Sequence, residues 1–230
     1  MRFHYADLDS CHTAAGLVIA IDVIRAFTTA ACVLSRGASA VIPVGSIEEA
    51  LAIREHNPDW LVCGEMKGLP PAGFNFGNSP TQVLELDLSG RTVVQRTSAG
   101  TQGIVRSTGA AALLAASFVV ASATVEYVRS LAPADVTFVT TGSVFDGGDE
   151  DVSCAEYLQA CLSGFAPDPA PYLDRVRSAH DARPFFDPSR PEFPETDIMY
   201  CTDLDRFDFA MPVVRRDGLH VMRSMRSVPR

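Results

Sequence analysis

The run GLVIAID at residues 16–22 is the strongest constraint on how this chain folds: it is apolar without alternation and closes on a carboxylate. A strand with one wet face alternates polar and apolar residues, so an unbroken run suits a strand buried on both faces of a parallel sheet. Similar runs recur at 40–44, 60–64, 92–96, 118–121 and 136–141. Helical patterns lie between them. Residues 28–36 read as a helix stopped by Gly37, and 46–56 as one opened by the capping box Ser46-x-x-Glu49 and closed by Asn57-Pro58. A short helix with Pro80 in its first turn follows, then helices at 101–107, 124–131 and 151–162. This alternation predicts an α/β fold, a three-layer α/β/α arrangement around a mostly parallel or mixed sheet. The segment VVRRDGLHVM at 213–222 predicts a C-terminal hairpin turning at Asp217-Gly218 and packed on that sheet. The expected organisation is one α/β domain over 1–230, with its core at about 15–165 and a Pro- and Asp-rich extension at 166–230.

Charge narrows the partners. The chain has 230 residues and a formal net charge of −9, which gives it no general attraction for nucleic acid or anionic membrane. The acidic excess is concentrated at 146–208, where 15 acidic residues face 5 basic ones. Of the 19 basic residues 18 are arginine, and Lys67 is the sole lysine. Residues 1–10 lack the apolar stretch of a secretion signal, and 14–21 is too short to span a bilayer. The six cysteines form no CxxC pair and read as buried free thiols. A cytoplasmic location is therefore expected, and a homodimer is allowed by the sequence without being required by it.

Ligands of a parallel α/β sheet bind at the carboxyl ends of its strands. DVIRAFTT at 22–29 follows the first strand and carries Asp22, Arg25 and Thr28. GEMKG at 64–68 follows the third, with Glu65 and Lys67, and leads into GFNFGNSP at 73–80, with Asn78 and Ser79. RTSAGT at 96–101 follows the fourth, with Arg96, Thr97, Gly100 and Thr101. Gly142-Ser143 and then Asp149-Glu150-Asp151 follow the last. Carboxylates, cations, hydroxyls and glycines gathered at strand ends suit a phosphate bound with a divalent metal. The turns at 77–80 and 97–101 offer N–H groups to an anion, and Asp22, Glu65 and Asp151 offer hard oxygens to Mg²⁺. Each cluster also has a plainer reading. Asp22 and Arg25 make an ion pair, Asn78-Ser79-Pro80 caps a helix, Glu150-Asp151 is solvated charge at a helix start, and Lys67 is an exposed cation. The chain lacks GxxxxGK[ST], GxGxxG after the first strand, and GxSxG. Its histidines at 4, 12, 56, 180 and 220 lie outside these clusters, which disfavours a histidine triad or a zinc hydrolase.

The segments DVIRAFTTA, GE, GFxxGNSP and TxxGT occur in an order and spacing that resembles the 2-phosphosulfolactate phosphatase (ComB) family. The resemblance covers about 15–165 well and is looser beyond, where Asp197, Asp205 and Pro212 fit the family's C-terminal pattern. It implies a Mg²⁺-dependent phosphatase that converts 2-phosphosulfolactate to sulfolactate, a reaction of coenzyme M biosynthesis. The small anionic substrate would be held as follows. Asp22, Glu65 and Asp151 would hold Mg²⁺, and Arg25, Thr28, Asn78, Ser79, Thr97, Gly100 and Thr101 would surround the phosphoryl group. Lys67 and Arg96 would hold the substrate's carboxylate or sulfonate. Asp22, Arg25 and Glu65 would be the catalytic set. Water is the expected nucleophile, with Asp22 or Glu65 as base. A phosphoaspartate at Asp22 is the variant, although Ile24 occupies the second position of the DxDxT pattern that such enzymes carry. Ala99 stands where the family usually has Asn, and Met66-Lys67 replaces a stretch that usually contains Arg. Alternatives are a phosphatase for phospholactate- or phosphoglycolate-like esters and a non-catalytic anion-binding module.

Overall fold

The computed structural model describes residues 1–142 and 149–226, so Ser143 lies outside the described residues. In chain order the elements are β1 (Arg2–Ala6), β2 (Gly16–Ile21), α1 (Ala26–Ser35), β3 (Ala40–Pro43), α2 (Ile47–His56), β4 (Leu61–Gly64), α3 (Pro80–Leu84), β5 (Thr92–Arg96) and α4 (Gly100–Arg106). They continue with β6 (Ala110–Ala116), α5 (Ala121–Leu131), β7 (Asp135–Thr140), α6 (Asp149–Leu162), α7 (Ala170–Ser178), α8 (Glu195–Cys201), β8 (Met211–Arg216) and β9 (Leu219–Met222). The nine strands form one mixed sheet in the order β1-β7-β2-β6-β8-β9-β3-β5-β4.

β2 behaves as its apolar run demands. It pairs in parallel with β6 on one side and β7 on the other, and both of its faces are covered. Val18 and Ala20 point into a core shared with α1 and α4, while Leu17, Ile19 and Ile21 point into a second core built by α5, α6 and α7. Burying each of the larger side chains contributes about 2–3 kcal/mol. A third apolar cluster, with Ile42, Val62 and Val94, packs under Ala50 and Ile53 of α2. The arrangement is the expected α/β/α sandwich. Local signals hold as well: Ser46 Oγ accepts from the Glu49 N–H at 3.1 Å, and Glu49 Oε2 returns a bond to the Gly45 N–H at 2.9 Å.

The Asp217-Gly218 hairpin is present, with φ of 52° and 81° at its two turn residues. Its strands are members of the sheet. β8 pairs antiparallel with β6 and β9 antiparallel with β3, so the hairpin joins a parallel group β1-β7-β2-β6 to a second parallel group β3-β5-β4. Three antiparallel steps reverse the strand sense between the groups. Strand twist offsets much of that reversal: adjacent strands rotate by roughly 20–25°, so six steps from β2 to β4 turn the strand direction by more than about 100°. The sheet thereby curls around α1. Val18 and Ala115 of one group, Val41 and Val93 of the other, and Phe27 and Ala30 of α1 share one core. Gln95 Nε2 on β5 donates to the Ala26 carbonyl at 2.9 Å, which brings the carboxyl end of β5 to the start of α1.

Several elements depart from expectation. The strand expected at 118–121 is a 3-10 turn, Phe118–Val120, and the strand itself is β6, whose AAALLAA run carries no β-branched residue to announce it. β1 was not anticipated, because its RFHYA sequence is an edge strand with mostly exposed side chains. The Pro- and Asp-rich extension contains, ahead of its hairpin, α7, a 3-10 segment at His180–Phe186, and α8, none of which the sequence pattern announces. All six cysteines are free thiols, five of them buried and Cys161 partly so. Among the described residues no helix is long and apolar enough to cross a membrane.

Candidate active site

The curled sheet places the loops after β2, β4 and β5 around a cavity of about 640 Å³, closed on its far side by residues 180–193. Asp22, Arg25, Glu65, Lys67, Asn78 and Thr97 all line it, so six of the residues singled out from the sequence share one chamber. Asp22 ends β2. Its Oδ1 accepts the Ala26 N–H at 2.8 Å, and its Oδ2 receives the Thr141 hydroxyl at 3.3 Å. Glu65 ends β4 and binds the neighbouring loops together: Oε1 accepts the Ser98 N–H at 2.5 Å, and Oε2 accepts the Gly68 N–H at 2.8 Å and the Ser98 hydroxyl at 3.2 Å. Asn78 lines the cavity with a buried side-chain oxygen that has no hydrogen-bond partner among the described residues.

Other expected contacts fall elsewhere, each for a visible reason. Thr28 is fully buried and donates to the Val23 carbonyl at 2.8 Å, so it braces the Asp22 loop from behind. Ser79 Oγ donates to Asp197 Oδ1 at 2.8 Å, away from the chamber. Thr97 and Thr101 are spent on each other. The Thr101 N–H donates to Thr97 Oγ1 at 3.0 Å, and the Thr97 N–H donates to Thr101 Oγ1 at 2.9 Å, which closes the turn into α4. Arg96 lies behind Glu65, with Nη1 donating to the Glu65 carbonyl at 2.9 Å. Asp151 sits beside Asp22 with its oxygens taken by the N–H groups of Val23, Thr141 and Gly142 at 2.8, 3.1 and 2.9 Å. It anchors the β2 and β7 ends instead of facing the cavity.

Gly100 acts through space and not through a hydrogen bond. A Cβ there would stand 2.5 Å from Ala26 Cβ and 2.6 Å from Asp22 Oδ2, so α4 approaches Asp22 only because this residue has no side chain. Gly100→Ala is expected to displace the Asp22 carboxylate, destabilise the fold by about 1–3 kcal/mol, and lower turnover far more than that loss of stability explains. Urea unfolding and steady-state kinetics on the same preparation check both effects.

The arm at 180–193 brings residues to the chamber that no motif in the sequence announces. His180, Arg183, Phe185, Arg190 and Phe193 line the chamber, so one histidine does belong to it. The arm is fastened by Asp197 of α8, which is fully buried. Asp197 Oδ2 accepts from Arg25 Nη1 at 2.7 Å, and Oδ1 accepts the Ser79 hydroxyl and the Thr81 N–H at 2.8 and 2.9 Å. Arg25 also donates to the Gly68 carbonyl at 3.2 Å and is faced by the rings of Phe185 and Phe193, 4.8 and 5.3 Å from its guanidinium carbon. The Asp22–Arg25 ion pair considered above is therefore not formed; Arg25 pairs with Asp197.

Electrostatics mark the buried ground behind Asp22. Asp22, Glu150 and Asp151 are all buried, so Glu150-Asp151 is not solvated charge, and no basic side chain pairs with any of the three among the described residues. Burial first, and then the neighbouring Asp151, push Asp22 and Glu150 well above the ordinary carboxylate range. Burial also raises Asp151, held back by its bonds to backbone N–H groups. Buried carboxyls crowded in this way favour a cation among them. Among the described residues no three Asp, Glu, His or Cys side chains converge to enclose an ion by themselves. Mg²⁺ does not require that, because it is commonly held through one or two carboxylates with waters and phosphate oxygens completing its shell. Asp22 and Glu65, at the cavity wall with lone pairs to spare, fit that donor set.

A family profile described as 2-phosphosulpholactate phosphatase matches residues 3–216. The chain belongs to this family. It is 33% identical over 205 residues to a Bacillus subtilis protein named "Probable 2-phosphosulfolactate phosphatase", covering 89% of each chain. It is 42% identical over 133 residues to a Thermotoga maritima protein of the same name, covering 58% of this chain and 55% of that one. A Deinococcus radiodurans protein of that name is 36% identical over 162 residues, covering 68% of this chain and 64% of its own. The 2-phosphosulfolactate phosphatase family is by its description one of phosphoric monoester hydrolases, and the matched span runs from β1 to the end of β8. It therefore includes the arm and Asp197 together with the three strand-end loops.

Proposed function

We propose that this chain is a phosphatase that hydrolyses the phosphate monoester of a small 2-hydroxy acid, with 2-phosphosulfolactate as the substrate, a reaction of the coenzyme M route. The observation that carries the reading is Asp22: a buried carboxyl on the wall of a polar chamber that also holds Arg25, Asn78 and Glu65. Mg²⁺ held by Asp22 and Glu65 would neutralise charge developing on the phosphoryl oxygens. Arg25 offers its remaining N–H donors to the phosphoryl group and is kept from swinging by Asp197 and Gly68. Asn78, on the chamber wall, would donate its side-chain N–H to the same group; its buried Oδ1, which has no partner among the described residues, is an acceptor. Glu65 holds the 65–68 and 97–101 loops at a fixed separation, so the chamber is shaped before substrate arrives. Asp22 takes the proton of the attacking water at Oδ2, a task suited to a carboxyl whose affinity for protons is raised. The ester P–O bond breaks as the water oxygen bonds to phosphorus, and the proton taken by Asp22 passes to the leaving alkoxide, so the products are inorganic phosphate and the free 2-hydroxy acid. Lys67, exposed at the mouth, meets the second acidic group.

Release of inorganic phosphate from 2-phosphosulfolactate in Mg²⁺ is the direct test. Release is expected to stop with EDTA and return when Mg²⁺ is restored in excess. If neither this ester nor phospholactate nor phosphoglycolate is turned over, while inorganic phosphate still raises the melting temperature, the chain is an anion-binding module and not an enzyme.

A further inference from the structure

The charged residues on the arm are not equivalent. His180 Nδ1 lies 3.3 Å from Asp181 Oδ1, so these two face each other. Asp187 Oδ1 accepts the Ser189 N–H at 2.9 Å and the Ser189 hydroxyl at 2.7 Å. Arg190 pairs with Glu192 at 3.3 Å and stacks on Phe193 with its guanidinium carbon 4.3 Å from the ring centre. Arg183 alone among them has no side-chain partner among the described residues, although it lines the chamber. Its backbone is well held: the adjacent Ala182 and Phe185 are buried in the arm's own apolar cluster with Phe193 and Ile198. An unpaired guanidinium on an anchored segment is a prepared anion site, since its donors are free and little order is lost when they engage.

Lys67 completes the arrangement from the other wall. Its loop is a tight turn in which the Met66 N–H donates to the Leu69 carbonyl at 2.8 Å, and Lys67 itself takes a left-handed φ of 55°. That turn meets the arm at Gly68, where a Cβ would come within 2.6 Å of the Phe193 ring. The Lys67 loop and the arm therefore pack on one another as they bound the same cavity. Of the cations lining the chamber, Arg25 is neutralised by Asp197 and Arg190 by Glu192, which leaves Lys67 and Arg183 without an acidic partner among the described residues.

We propose that Arg183, together with Lys67, forms the subsite for a second anionic group on the substrate, a carboxylate or sulfonate a few atoms from the phosphate. This deepens the phosphatase reading and rests on it. The strand-end loops then recognise the phosphate, and the arm selects esters that carry another fixed negative charge. Arg96, tied to the Glu65 carbonyl, takes no part.

The test compares kcat/KM for 2-phosphosulfolactate with kcat/KM for phenyl phosphate, which has no second acid. Arg183→Gln is expected to lower the ratio of the two at least tenfold, mainly through KM for the diacid ester, and Arg183→Lys to recover part of it. Lys67→Gln is expected to move the ratio in the same direction. Melting temperatures of all variants exclude misfolding as the cause. An unchanged ratio in Arg183→Gln overturns the inference and leaves the phosphatase reading intact. Failure of the parent chain to hydrolyse either ester overturns both.

Discussion

Asp22→Asn is expected to cut phosphate release by about a thousandfold or more while leaving the fold at least as stable as the parent. General-base contributions of roughly 10²–10⁴ set the scale of the first effect. The second follows from the sign of the proton linkage. Burial, Asp151 and Glu65 raise the Asp22 carboxyl to about 8 in the folded chain, against about 3.9 for an unfolded Asp. The folded state therefore holds this proton more tightly than the unfolded state does. Its stabilising share is complete below about pH 4 and is lost as pH rises through the interval up to about 8. Asn does not ionise, and its Oδ1 still accepts the Ala26 N–H, so the variant keeps the local bond and sheds the repulsion. Thermal melts in EDTA at pH 5 and pH 8 check this: the parent should lose more stability between the two pH values than Asp22→Asn does. Excess Mg²⁺ should narrow the difference by stabilising the parent alone. Near-parent turnover in Asp22→Asn would remove Asp22 from the chemistry. Borohydride trapping during turnover separates the two roles left for it, since a homoserine at position 22 would replace the water mechanism with a phosphoaspartate.

How much of this was legible in the chain depends on the range of the interactions involved. The β2 run, the Ser46–Glu49 capping box and the Asp217-Gly218 turn are local, and the structure keeps all three. Asp22, Glu65, Asn78 and Thr97 were legible as residues of one chamber wall because ligands of such a sheet gather at the carboxyl ends of its strands. Tertiary pairing was not legible. Nothing near Ser79 or Arg25 announces that Asp197, more than a hundred residues on, would take both. The insertion of β8 and β9 into the middle of the sheet was equally hidden, because a hairpin pattern does not state its neighbours. A mostly parallel or mixed sheet was expected, but the pattern does not say where the antiparallel steps fall; here they lie between β6 and β3, and the loops after β2 and β4 still line one cavity. For Glu150 and Asp151 the plainer reading of solvated charge fails, and the metal role expected of Asp151 meets oxygens already taken by backbone N–H groups. Asp and Glu are mostly exposed in folded chains, but here α6 packs its first turn against Val23 and Thr141, and both carboxyls are buried.

Asp197→Ala is expected to be the most destabilising single change in the chain's second half, at about 3–5 kcal/mol. The carboxylate is fully buried and its partner Arg25 nearly so, which makes the loss one of leaving a guanidinium uncompensated, well beyond the value of an exposed pair. Two further donors, the Ser79 hydroxyl and the Thr81 N–H, lose their acceptor at the same time. For a chain of this size the shift in melting temperature should be on the order of 10 °C. Asp197→Asn keeps an acceptor for Ser79 and Thr81 and removes only the charge, so it should fall between the parent and Asp197→Ala in urea unfolding. Turnover should fall in both variants, because the same carboxylate that holds α3 also fixes Arg25 at the chamber wall. An Arg25→Met, Asp197→Leu double substitution provides the control: removing both charges should cost less stability than the sum of the single changes, while turnover stays lost. If Asp197→Ala lost turnover with an unchanged urea midpoint, Asp197 would belong to the reaction itself and not to the support beneath Arg25.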